Sequence, residues 1–257
     1  MTDPAISLAV HTVLPFVAML LAIAVLPLWV PAWWEHNWNK LLVSAVLGLP
    51  VLALYLVRQP SAVLHVAEDY VSFIVLLAGL YVISGGVLLR GDLVATPAVN
   101  ATFLAGGALL ASLVGTTGAS MLLIRPLLQP NRERRHTVHT VVFFIFLVSN
   151  VGGMLTPLGD PPLFLGYLEG VPFTWTLRLW PHWLLMIGTL LVVYVVWDSV
   201  AYAREPLEAI QRDRVEIEPL RLRGGLNALW LLGVVAAVGL LRAPLREVAI
   251  VALAGLS

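Results

Sequence analysis

The chain has no cysteine, little charge and no excess of either sign. Without cysteine there can be no disulfide and no thiolate-ligated metal centre, and the redox compartment leaves no trace. Charged residues make up only 12% of the 257, where a soluble domain carries about a quarter. Lysine plus arginine equals aspartate plus glutamate, at 15 each, so no bulk charge points to a nucleic-acid partner. The opening residues, Met1 to Phe16, lack the basic stretch and small-residue cleavage site of a secretory leader. The first apolar run therefore reads as a retained helix. Catalytic motifs are missing as well. There is no His-Glu-x-x-His, and after Gly118-Ala119-Ser120 a leucine, Leu122, stands where a nucleophile elbow has its second glycine. No enzyme is expected, and no cofactor.

What the chain has is apolar length. Hydrophobic residues make up 60% and the mean hydropathy is +0.91. A spanning helix needs about 20 mostly apolar residues to cross about 30 Å of hydrocarbon. Candidate spans run over 10–30, 41–57 and 71–89, the last ending in Ser84-Gly85-Gly86. Further apolar stretches cover 98–124, 140–168, 183–200 and 226–241. Trp29, Trp33, Trp34 and Trp38 cluster between the first two, as in an interfacial belt. The expected class is an all-α polytopic protein of the bacterial inner membrane, in contact with lipid. Four arginines fall in 125–136 and five in the hydrophilic 203–225 segment, which places both on the cytoplasmic side. Another apolar run is under way at Ser257, which suggests that the sequence is truncated.

Two stretches cannot be regular helix. Between Ser149 and Pro162 fall three prolines and three glycines. Proline removes a backbone donor and pushes the residue before it, here Thr156 and Asp160, towards extended conformations. In a membrane, the freed backbone groups are tolerated only against protein or a wet cavity. Broken helices of this kind build ion sites in secondary transporters, and a plain kink is the alternative. Asp160 sits within this stretch, as a cation ligand or as an N-cap for a half-helix starting at Pro161. Asp198, beside Ser199 and Tyr202 at a helix end, reads as interfacial. His136 and His139 in the basic loop, and His182 between tryptophans, read as solvated or interfacial. No arginine falls clearly inside a span, Arg125 being the closest. The second irregular stretch, Gly115-Thr116-Thr117-Gly118, offers hydroxyls and flexible backbone where 98–124 would turn back on itself, and oxygens of this kind suit hard cations.

These two stretches, Ala111 to Leu128 and Phe146 to Leu168, resemble the ion transporter superfamily, most nearly its NhaD-type sodium/proton antiporters and CitMHS-like citrate transporters. The resemblance implies an inverted-repeat fold, each repeat holding a re-entrant hairpin and a broken helix, working as a homodimer. Residues 1–97 would be N-terminal helices and 98–202 the hairpin, broken helix and following helix of the first repeat. Residues 203–225 would be a cytoplasmic linker and 226–257 the start of the second repeat. The implied cation or substrate site takes oxygens from Thr116, Thr117, Ser149, Asn150, Gly152 and Thr156, with Asp160 nearby. Where many relatives carry Ser-Asn-Thr at the tip this chain has Gly115-Thr116-Thr117 and so lacks the asparagine amide, and Asp160 stands where carboxylate carriers tend to be neutral. Both departures favour sodium/proton exchange, with sodium the transported or coupling ion. Transport of citrate or another carboxylate, coupled to cations or protons, is the alternative.

Overall fold

In a computed structural model the described residues are 10–91, 94–206, 208 and 221–257. The centre of the expected linker, 209–220, lies outside them. The chain divides into two compact units, Met1–Glu68 and Asp69–Ser257.

The first unit holds α1 (Leu14–Trp29), the short α2 (Pro31–Trp34) and α3 (Asn37–Arg58), with α1 packed along α3. No residue of α1 or α3 is buried, and α1 and the 41–57 stretch of α3 are apolar on every side. A helix apolar all round needs an apolar solvent, here lipid. Helix α4 (Pro60–Gly85) contains the unit boundary, and its later turns bury Ser72, Leu76, Leu80 and Ile83 in the second unit.

The second unit is organised about α5 (Pro97–Val114). Pro97 opens this helix, and the Thr96 hydroxyl accepts from the Val99 N–H at 3.3 Å, which caps it. Gly115, at φ +83°, ends α5, and α6 (Thr116–Leu128) starts at once. A positive φ of this kind is readily open to glycine alone. The two helices fold back on each other. Leu123 lies against Gly107, each eight residues from the turn. At the open end the side-chain amides of Asn100 and Asn131 exchange hydrogen bonds of 2.9 and 3.1 Å. The chain thus leaves the hairpin on the side where it entered.

Helix α7 (Val138–Leu147) follows and is about 15 Å long, half a bilayer core. A 3-10 turn (Val151–Leu155), an irregular stretch and α8 (Pro161–Leu168) continue it. Thr156 and Asp160 are extended, at φ −135° and −139°, as their following prolines dictate. Helix α9 (Trp180–Tyr202), α10 (Gly225–Leu240) and α11 (Leu245–Gly255) complete the unit. Strands β1 (Leu88–Arg90) and β2 (Arg221–Arg223) pair antiparallel and join the chain before α5 to the start of α10.

Among the described residues, five stretches are long and apolar enough to cross a membrane: 37–58, 60–85, 97–114, 138–155 and 173–202. The protein is an all-α polytopic membrane protein, with one two-stranded ribbon among the described residues.

Candidate functional site

The hairpin tip meets the irregular stretch directly. The Thr116 N–H donates to the Gly159 carbonyl at 3.1 Å. Gly153 and Gly159 touch backbone to backbone, so a Cβ on Gly159 would lie 1.9 Å from the Gly153 carbonyl oxygen. A small cavity of about 20 Å³ remains between tip and break, room for one water or a bare cation. Gly115, Thr116, Thr117 and Gly118 line one side, and Pro157, Leu158, Gly159 and Pro161 the other.

Of the residues expected to share a site, Thr116 and Thr117 line this cavity, and Asp160 stands between two residues that do. Asp160 is the N-cap of α8 through its backbone carbonyl, which accepts from Leu163 and Phe164. Its side chain makes no cap bond, which leaves the half-buried carboxylate to other partners.

Gly152 and Thr156 lie elsewhere, packed against α5. The Gly152 carbonyl accepts from the Ser112 hydroxyl and, at 3.3 Å, from the Trp183 indole. The Thr156 hydroxyl donates to the Ser112 carbonyl. The Thr176 hydroxyl donates to the Leu155 carbonyl at 3.0 Å. Freed backbone groups of the break are thus met by protein donors, as burial demands. Ser149 accepts from Ser120 at 2.7 Å, and Asn150 is exposed away from the cavity. Ser120 therefore pairs with a serine. Ser112, the Gly153–Gly159 contact and Trp183 were not foreseen. Their partners are distant in sequence, and small residues on an apolar helix carry no local signal.

A second cluster overturns the interfacial reading of Asp198. This carboxylate is wholly buried in the second unit. Arg134 grips both its oxygens, at 2.5 and 3.2 Å, His139 Nε2 donates at 2.8 Å and the Tyr194 hydroxyl at 3.1 Å. Tyr194 also pairs with Thr140 at 3.2 Å, and Arg134 reaches the Ala95 carbonyl at 3.1 Å. His139 is buried too, so it is not a solvated loop residue. An ionised group at such depth survives because each oxygen has a donor.

An arginine is buried near the cavity as well. Arg246 is buried, with its guanidinium 5.6 Å from the ring centres of Phe164, which lines the cavity, and Tyr167. Glu247 accepts from it at 2.9 Å and from Ser72 at 2.8 Å.

A family profile described as "Putative citrate transport" matches residues 5–255. No curated protein and no solved structure matches the chain.

Proposed function

Because this chain belongs to the family described as putative citrate transport, we propose that it is a secondary transporter for a carboxylate such as citrate, coupled to cations or protons. The supporting observation is that two helices begin at one cavity. Helix α6 starts at Thr116 and α8 at Pro161, and neither has a side-chain cap. First-turn N–H groups lack partners inside their own helix, and the helix dipole makes that end positive. Pro161 and Pro162 have no N–H to give, so α8 contributes its dipole alone. The free donors belong to Thr117 and Gly118, since Thr116 is already bound to Gly159. Helix ends of this kind face anionic substrates in broken-helix carriers.

Asp160 stands in the chain between Gly159 and Pro161, two wall residues of this cavity, and supports a cation requirement there. An anionic substrate entering there needs a cation beside it, which is a physical reason for coupling. The cavity of about 20 Å³ is too small for a tricarboxylate, so binding requires the hairpin tip and the 157–161 segment to part. Arg246 adds less than its position suggests, because Glu247 neutralises it.

Asp160 also favours a second reading, sodium/proton exchange, in which a cation binds at the carboxylate and no organic anion is carried. Proteoliposomes separate the two. Uptake of labelled citrate driven by a sodium or proton gradient is expected for the full chain, and Asp160→Asn should weaken its cation dependence. Sodium-driven proton movement without citrate uptake would favour exchange, and absence of both activities would remove either reading.

A further inference from the structure

At the other end of the second unit, the start of α7 and the end of α9 enclose an open cleft of about 440 Å³. Its floor is apolar, built from Val142, Phe143, Trp197 and Val200. Trp197 and Val200 are 58% and 50% exposed on a membrane-spanning stretch, so they face hydrocarbon. Arg135, His136 and Arg204 complete its lining. One surface therefore combines two exposed arginines with acyl-compatible walls.

The buried charges beneath this arginine rim are already paired. Inside it, Arg134 and Asp198 neutralise each other, with His139 on the same carboxylate. Glu205, beside Arg204 in sequence, is turned to the protein. Its oxygens accept from the Arg135 and His136 N–H groups at 2.8 to 3.1 Å and contact the His136 ring at 3.2 Å. Among the described residues, no carboxylate pairs with the Arg135 or Arg204 side chain, so one phosphate would complement them. The walls are also held in place, since Trp197 stacks on His139 (ring centres 6.1 Å apart, planes within 10°) and His139 is fixed by Asp198.

We propose that this cleft binds an anionic phospholipid, its headgroup phosphate between Arg135 and Arg204 and an acyl chain along α7 and α9 past Trp197. A free phosphate could use the rim but not the apolar floor. Basic pockets between helices at the arginine-rich side of a membrane protein suit such headgroups. The clustering of these arginines is also what orients the chain.

The experiment uses the full chain in nanodiscs of phosphatidylcholine, titrated with phosphatidylglycerol or phosphatidylcholine carrying brominated acyl chains, and reads tryptophan fluorescence. Brominated phosphatidylglycerol should quench more than brominated phosphatidylcholine, and Trp197→Phe should remove that excess. Arg135→Gln combined with Arg204→Gln should raise the half-saturating mole fraction roughly 30-fold. Arg132→Gln, in the same loop but outside the cleft, should leave it unchanged. Equal quenching by both lipids overturns the proposal, as does an Arg132→Gln effect matching the double variant, which would mean diffuse attraction. An excess that survives Trp197→Phe overturns it by showing the cleft covered, for example by a second copy of the chain. Relief of the excess by inorganic phosphate at constant ionic strength would assign the rim to free phosphate.

Discussion

Asp198 has four donated hydrogen bonds and no exposure, so its energetics are those of a buried pair. Removing one member of such a pair leaves a charge without compensation and costs about 3–5 kcal/mol, whereas removing both costs much less. Asp198→Asn should therefore lower the melting temperature of the detergent-solubilised chain sharply. Adding Arg134→Met should restore a large part of the loss; strictly additive losses would mean the two groups are not coupled. Glu205 behaves differently because it sits outside the spans. Burial opposes its ionisation, yet the Arg135 and His136 N–H groups and the His136 ring outweigh it and hold its carboxyl below the ordinary value of 4.5. With a depressed folded value, its contribution is complete above that ordinary value and is lost as pH falls through the lowered one. Melting temperature should then drop more steeply below about pH 4.5 for the wild type than for Glu205→Gln. Parallel curves would show that this clasp contributes no acid-sensitive stability.

The hairpin and the broken helix depend on small residues at two contacts. Gly159→Ala places a Cβ 1.9 Å from a backbone oxygen that cannot swing aside, so the 153–159 contact must open. The Thr116 bond to the Gly159 carbonyl then fails, and gradient-driven uptake should fall at least tenfold while protein yield changes less. Undiminished uptake would mean that the touching backbones are not part of the transport site. These elements were legible in the sequence because their causes are local. Prolines at 157 and 161 set their preceding residues extended, and Gly115 turns the hairpin. Helix starts were less legible. Residues 71–89 read as a span, but α4 begins at Pro60 and carries Glu68 and Asp69 within it. Pairing across the fold was not legible at all. Asp198 and Arg134 are 64 residues apart, and Asp198 and His139 are 59 apart. A carboxylate near a helix end looks the same whether water or an arginine receives it. Arg246 was hidden likewise, since its neighbours Phe164 and Tyr167 come from a helix far back in the chain.

Across the second unit, the two polar regions differ in how tightly they are tied. The Arg134–Asp198–His139 cluster is charged, buried and multiply bonded, so opening it costs several kcal/mol. Neutral hydrogen bonds tie the hairpin to the break, from Thr116 to the 159 carbonyl and through Ser112 and Ser120 to residues 149, 152 and 156. Each makes a net contribution of about 0.5–1.5 kcal/mol. Motion that admits a substrate belongs at the second place, because a carrier must expose one site to each side in turn. The lack of native cysteine makes this measurable, since any introduced thiol is the sole one. Thr117 lines the cavity and is exposed, whereas Val57 is 85% exposed at the end of α3 in the other unit. In oriented vesicles, Thr117→Cys should react with a membrane-impermeant maleimide from both faces, the faster face switching with the imposed gradient. Citrate should slow that reaction several-fold. Val57→Cys should react from one face only and ignore citrate. If Thr117→Cys reacts from one face under every gradient, the tip does not alternate. The weakly tied contact would then be a fixed seam, and the substrate path would have to lie elsewhere.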